Sequence, residues 1–152
     1  MGKTGIRGKL ASLVVVALLA GCAEPVPVLP PAPPGQPVKL RPLPKQFEAA
    51  AFSVGIAKAL VKFCGRDLGF NTMQERAMLE ISVEQMKQQN FNDAEARLAL
   101  ANFDKARIQR DVFAYVEKNG IIIGEPSTFC AAGEREIARK SQIGALLFKF
   151  RK

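Results

Sequence analysis

Residues able to do acid-base, nucleophilic or metal chemistry are few in this chain of 152 residues. It contains no histidine, which removes Ser-His and Cys-His nucleophile pairs and every metal site that needs an imidazole ligand. Glu134 and Glu136 are too close in sequence to share a helix face, whereas Glu80 and Glu84 do share one. Because no further carboxylates complete a cage for a hard cation, we interpret Glu80 and Glu84 as a solvated surface. The sequence predicts no catalytic residue, metal site or cofactor.

The first 21 residues have the three-part layout of a secretory signal peptide. Basic residues precede the uncharged run Leu10–Leu19, which is too short to span a bilayer, where about 20 apolar residues are needed. The run ends in Leu19-Ala20-Gly21-Cys22, which resembles the lipobox of bacterial lipoproteins. The resemblance implies cleavage before Cys22 and its acylation, by palmitate-type chains, on both sulfur and amine. The alternative is a non-lipidated signal peptide cleaved at a nearby alanine.

Lipidation of Cys22 would anchor the exported protein without a spanning helix, because several acyl chains bind a membrane stably. We therefore expect a membrane-attached protein that faces the periplasm. Lipoproteins retained at the inner membrane often have Asp after the lipidated cysteine. Ala23 stands at that position here, so the resemblance favours the outer membrane.

The positive charge of the chain has two interpretations. The formal net charge is +8, and +5 remains after the three basic residues of the signal peptide are removed. Attraction to anionic lipid or wall polymer fits this charge better than attraction to nucleic acid, and a solvated surface with scattered lysine and arginine is the preferred interpretation. The same choice applies to Lys58, Lys62 and Arg66, whose spacing of four forms a basic stripe on a predicted helix.

Nine of the ten prolines lie between Pro25 and Pro44. This composition excludes a helix or a central strand and predicts a polyproline-like, semi-rigid spacer. At about 3.1 Å per residue, a fully extended segment 23–45 would hold a domain up to ~70 Å from the membrane. A PxxP-type ligand for a partner's groove is the alternative. The expected division is a signal peptide over 1–21, lipidated cysteine and spacer over 22–45, and a helical domain over 46–152.

Two helices are predicted in the first half of the domain. The first carries an apolar stripe from Phe47 to Cys64 and stops near Gly65. The second begins at a capping box of Thr72 and Glu75. Its apolar face is expected to contain Leu79, Val83 and Met86, with Met78 and Ile81 beside them.

Two further helices are predicted after a second capping signal at Asn92 and Glu95. One ends at Asn119-Gly120, and the other begins at Pro126 and continues towards the end of the chain, with a kink or division at Ser141 or Gly144. No segment alternates with period two, so no sheet is expected. The predicted fold is a small all-α, up-down bundle of about four helices, with the ten phenylalanines in its core.

Cys64 and Cys130 are the two thiols that remain if Cys22 is lipidated. Export places them in an oxidising compartment, where an even number of cysteines favours a disulfide. In an up-down-up-down bundle, the first helix ends and the fourth begins at the same pole, which brings this pair together. Two separate buried thiols are the alternative.

The end of the chain resembles the C-terminal signature of a family of small exported bacterial proteins of unknown function. The similar segments are 129–134 (FCAAGE), 136–144 (EIARKSQIG) and 146–147. Similarity extends over roughly 51–147, whereas the lipobox and the Pro-rich segment depart from the family pattern. The family implies no activity, cofactor or catalytic residue.

The favoured function is a non-enzymatic interaction or envelope-maintenance module that binds an envelope protein or a cell-wall component. A carboxylate-dependent enzyme acting on envelope polymers is the first alternative, and a small periplasmic stress chaperone, by analogy of size and cysteine count, is the second. Converging carboxylates in a deep pocket would favour the enzyme, and a smooth, shallow surface would favour the binding module.

Overall fold

The structure, a computed structural model, describes residues 28–65 and 67–150 and is mostly helical there. Its elements in chain order are α1 Lys45–Cys64, β1 Leu68–Phe70, α2 Thr72–Gln88, α3 Asp93–Ala101, α4 Lys105–Lys118, α5 Pro126–Arg139, α6 Gln142–Ala145 and β2 Leu147–Lys149. The predicted helical character is confirmed. The expectations of about four helices and of no sheet are wrong, because these residues form six helices and a two-stranded sheet. No helix in the described ranges is both long enough and apolar enough to cross a membrane.

Side-chain caps explain where the helices begin. The predicted cap at Asn92 is confirmed as a full capping box with Glu95. The start of α2 differs by one residue, because Asn71 is the N-cap and its side chain accepts a hydrogen bond from the Gln74 amide at 3.1 Å. The predicted capping box of Thr72 and Glu75 is therefore wrong, and Thr72 is the first helical residue.

The third predicted helix is divided at residues 102–104 into α3 and α4. The Asn102 side chain donates to the Leu98 carbonyl at 2.8 Å, where α3 ends. The Asp104 side chain accepts from the Arg107 amide at 2.9 Å, where α4 begins. Short polar side chains that bond to the nearby backbone compete with a continuous helix, which accounts for the break.

The last predicted helix is divided at Ser141, which is one of the two positions where a division was expected. α5 ends at Arg139, and its C-cap residue Lys140 has a left-handed backbone conformation. Ser141 then caps α6 by accepting from the Gly144 amide at 2.9 Å. The chain continues into β2, which pairs antiparallel with β1 so that Gly69 lies opposite Phe148. A Cβ atom at Gly69 would lie 2.2 Å from the Phe148 ring, so only glycine leaves room for the ring above the strand.

The main hydrophobic core lies where α1 packs against α5, α6 and the sheet. It is closed at one pole by the predicted disulfide between Cys64 and Cys130, whose Cα atoms are 4.8 Å apart. The disulfide is confirmed, and it joins the end of α1 to the first turns of α5. The innermost residues, each at most 1 % exposed, are Ala57, Leu60, Leu68, Ala132 and Leu146.

Some apolar residues expected in the core are instead at the surface. On α2 the buried residues are Met78, Ser82, Val83 and Met86, whereas Leu79 and Ile81 are exposed. Four of the ten phenylalanines are also exposed, namely Phe63, Phe113, Phe148 and Phe150. Helical spacing identifies the side of a helix that is apolar but not how much of that side a neighbour covers.

A second, smaller cluster lies at the opposite end of α1, where the Pro-rich segment meets the corner between α2 and α3. Its buried residues are Leu43, Met86, Phe91, Ala96 and Ala99. We call residues 30–43 the strap, because contacts near both of its ends hold it to this corner before α1 begins, while residues 33–40 between them are exposed. Both ends of this segment are thus attached to the domain, which differs from the fully extended arrangement considered for the spacer.

Candidate functional site

A buried polar cluster joins α4, α5 and α6. Glu136 is only 6 % exposed, and its carboxylate accepts hydrogen bonds from the Tyr115 hydroxyl at 3.2 Å and from the Ser141 hydroxyl. A Cβ atom at Gly144 would lie 2.1 Å from the Glu136 carbonyl oxygen, so glycine is required where α6 meets α5. Three of these residues, Glu136, Ser141 and Gly144, belong to the C-terminal segment 129–147, and their contacts join α5 to α6.

Burial raises the pKa of Tyr115 above its ordinary value, and the neighbouring Glu136 charge and hydrogen bond raise it further. The Tyr115 hydroxyl therefore stays protonated and donates to the carboxylate, as a structural hydrogen bond requires. The hydrogen bond thus engages both groups, and Glu136 is almost completely removed from solvent.

Three of the four carboxylates singled out in the sequence lie on the surface and form ion pairs with lysine or arginine. Glu80 pairs with Arg76 at 3.1 Å and Glu84 with Lys87 at 3.8 Å, so the two do not form a joint site. Glu134 pairs with Lys149 of β2 at 2.8 Å, apart from the buried Glu136. The interpretation of Glu80 and Glu84 as a solvated surface agrees with these positions.

The basic stripe is also engaged in local contacts. Lys58 forms an ion pair with Glu75 and lies 5.2 Å from the centre of the Phe70 ring. Lys62 lies 5.5 Å from the centre of the Phe63 ring. Arg66 and Cys22 lie outside the described residues.

One group of metal-type ligand atoms consists of the Cys64 and Cys130 sulfurs and an Asp67 carboxylate oxygen, all within 4.8 Å. Both sulfurs are bonded to each other. Cysteine binds a metal as its thiolate, so the disulfide accounts for the proximity of these two sulfurs.

An apolar groove lies between α1 and α2. Its volume is about 220 Å³, and we call it the α1–α2 groove. Glu75 is the one charged residue in its lining, and it is already paired with Lys58. The lining residues are Phe47, Ala50, Ala51 and Val54 of α1 with Glu75, Met78, Leu79 and Ser82 of α2.

The groove was not predicted from the sequence, although its α1 residues were identified as an apolar stripe. Small alanine side chains at positions 50 and 51 leave space that larger residues would fill. Ser82 brings little polarity, because its hydroxyl donates to the Met78 carbonyl of its own helix at 2.8 Å. The signal that could have revealed the groove is the pair of adjacent alanines between Phe47 and Val54.

Comparison with known proteins tests the family resemblance of the C-terminal segment. No curated protein and no solved structure matches the chain. A family model described as "Family of unknown function (DUF5333)" matches residues 41–148, from Arg41 in the strap to Phe148 in β2. The matched range contains the disulfide, the Glu136 cluster and the α1–α2 groove. The chain therefore belongs to DUF5333, a family of unknown function.

Proposed function

We propose that the mature protein is a lipid-anchored, non-enzymatic binding module that faces the periplasm of a bacterial envelope. The four-residue match at Leu19–Cys22, together with the basic and apolar regions before it, supports lipidation of Cys22. Ala23 supports the outer membrane as its location.

The observation that carries the binding role is the α1–α2 groove. It presents apolar side chains to solvent, including Leu79, which is 41 % exposed. Apolar concave surfaces of this kind are typical of recognition sites, where an apolar residue of a partner is removed from water. The groove thus favours an envelope protein over a glycan strand, whose hydroxyl groups would need polar partners.

The alternative of a carboxylate-dependent enzyme has less support. Cleavage of a glycan by carboxylates uses two such groups on either side of the scissile bond. The groove offers only Glu75, which is paired with Lys58. Glu136 is enclosed by hydrogen bonds from Tyr115 and Ser141 rather than exposed to a substrate.

Site-specific photo-crosslinking in intact envelopes tests the groove. A photoreactive residue at Leu79, inside the groove, is expected to yield a discrete crosslinked partner. The same residue at Met73, which is 82 % exposed on the same helix but is not a groove residue, serves as the control. Ala51→Phe, which fills the groove, should abolish the adduct formed at position 79. Equal adducts from both positions, or an adduct unaffected by Ala51→Phe, would contradict the proposal.

A further inference from the structure

We propose that the corner covered by the strap is a docking surface for the anionic membrane to which Cys22 attaches the chain. The proposal rests on the lipid anchor of the proposed function. It adds which face of the domain meets the bilayer and which lipids that face recognises.

The strap is held to the corner at both of its ends. At its first end, the Asp93 amide donates to the Pro30 carbonyl at 2.9 Å, and the Ala32 amide donates to the Asp93 carboxylate at 3.0 Å. At its second end, Leu43 is buried in the smaller hydrophobic cluster. The strap is therefore part of the domain surface and does not lengthen the tether.

Arg41 provides the strongest set of contacts at the second end. Its guanidinium donates to the Gln89 carbonyl at 2.8 Å and to the Asn90 carbonyl at 3.3 Å, where α2 ends. It lies 4.1 Å from the centre of the Phe91 ring and 3.5 Å from the Glu95 carboxylate. Positive charge is favourable at the C-terminus of a helix, and stacking on an aromatic ring adds to it.

The docked strap makes the tether short. Only residues 22–29 separate the anchor from the first strap contact at Pro30. At no more than ~3.6 Å per residue, these eight residues span at most about 29 Å. The corner is thus held close to the membrane, instead of up to ~70 Å away as the sequence alone suggested.

The chemistry of the corner fits an anionic bilayer. Val28, Val38 and Leu40 are exposed apolar residues. Exposed Lys39 lies between Val38 and Leu40 in the sequence, and exposed Lys45 is the first residue of α1, just after the strap. Short apolar side chains flanked by lysines are typical of surfaces that insert at the headgroup boundary, where anionic lipids attract the cations.

The other cations of the corner are already neutralised by carboxylates. The pairs are Arg41 with Glu95, Lys87 with Glu84 and Arg97 with Asp93. Neither Lys39 nor Lys45 forms an ion pair with another described residue. The charge left unbalanced there is positive, which is complementary to anionic lipid.

The opposite pole provides a matched control. α1 has 20 residues and so is about 30 Å long, and it separates the strap from the disulfide. Ile123, just before α5, lies at the disulfide end and is 80 % exposed, whereas Leu40 is 62 % exposed. If the corner docks, Leu40 contacts lipid and Ile123 does not.

The test attaches the chain chemically, so that its outcome is independent of lipidation in the cell. The chain from Cys22 onwards contains every described residue, and Cys22 is the one cysteine outside the disulfide. It can therefore be coupled to a maleimide phospholipid in vesicles of phosphatidylcholine, with or without phosphatidylglycerol. A photoreactive residue then replaces Leu40 in one variant and Ile123 in the other.

With phosphatidylglycerol present, we expect lipid adducts at position 40 to exceed those at position 123 by about fivefold or more. Each lysine near an anionic surface strengthens the attraction roughly fivefold, so Lys39→Glu with Lys45→Glu should remove the dependence on phosphatidylglycerol. Equal yields at the two positions would overturn the proposal, as would a dependence that the two substitutions leave unchanged. In that case the strap corner would not bind lipid, and a protein or a wall polymer would be its alternative partner.

A strap-release variant checks the role of the short tether. Arg41→Ala with Asp93→Ala removes contacts at both ends of the strap, and its helical circular dichroism would confirm that the domain remains folded. The loss of these side-chain contacts weakens the hold on the strap and lets the tether lengthen, so the difference between positions 40 and 123 should fall. If the difference persisted at full size, the strap would not orient the domain. Failure of the anchor itself would be seen separately, as a Cys22 that is not acylated in cells.

Discussion

At the residue scale, Tyr115 offers a direct probe of the buried polar cluster. It is the single tyrosine of a chain without tryptophan, so tyrosinate absorbance reports on it alone. Burial and then the Glu136 charge raise the pKa of Tyr115 in the folded protein, whereas an unfolded tyrosine titrates near 10. Above pH ~10 the unfolded state therefore binds fewer protons than the folded state, and stability falls as the pH rises.

We expect folded protein to show little tyrosinate at a pH where the urea-unfolded chain is already ionised. Glu136→Gln should lower the pKa of Tyr115 only in part, because burial is the larger cause and is unchanged. Coincident titration curves for folded and unfolded protein would contradict the buried hydrogen bond.

Gly144 and Gly55 give a pair of residue-scale substitutions with opposite expected signs. Gly144→Ala would place a methyl group against the Glu136 carbonyl, so α6 must move away from α5. We expect a loss of about 2 kcal/mol or more in the free energy of unfolding. A Cβ atom at Gly55, exposed within α1, meets nothing within 4 Å, so Gly55→Ala should stabilise by ~0.5–1 kcal/mol. Urea denaturation measures both, and an unchanged midpoint for Gly144→Ala would count against the close contact.

At the element scale, features set by neighbouring residues could be predicted from the sequence, whereas features set by contacts between distant segments could not. The start of α3 could be predicted from Asn92 and Glu95, because a capping box lies within four consecutive residues. The break at Asp104 was missed because the surrounding apolar spacing continues on both sides. The sheet was missed because each strand has three residues, too few for an alternating pattern, and its partner lies far along the chain.

The disulfide is the element-scale feature with the largest expected effect on stability. It joins α1 to α5 across 66 residues of sequence, for which loop-closure entropy gives about 4 kcal/mol. Reduction, or the double substitution Cys64→Ala and Cys130→Ala, should lower the melting temperature by about 15 °C or more. The helical circular dichroism of the folded state should persist, because Ala57, Leu60 and Ala132 still pack between the helices. Equal melting of oxidised and fully reduced protein would contradict this expectation.

At the scale of the whole molecule, the two ends of α1 have different tasks. The end of α1 at the disulfide packs against the main core and the sheet. The other end packs against the smaller cluster, where the strap leads into α1. The sequence predicts the lipid anchor from the contiguous lipobox, and this stays a prediction. The lack of histidine in the sequence excludes sites that need an imidazole. The sequence did not indicate the α1–α2 groove or the docked strap, because both depend on which helix surfaces meet after folding.

Attachment of the whole molecule to the membrane should depend on Cys22. Two unbalanced lysines and a few exposed apolar residues at the strap corner give only weak, salt-sensitive binding, whereas several acyl chains hold a protein stably. Cys22→Ser should therefore abolish labelling by a palmitate analogue and release the protein into the soluble fraction after a salt wash.

An uncleaved signal peptide would confuse that measurement, because its apolar run could hold the precursor in the membrane. The control places the Cys22→Ser chain behind a signal peptide that is cleaved without lipidation, and mass spectrometry confirms the processed N-terminus. If this processed, unlabelled protein remained as firmly bound as the wild type after the salt wash, the attachment would have to arise from the folded domain. The strap corner, with Lys39 and Lys45, would then be the first surface to alter.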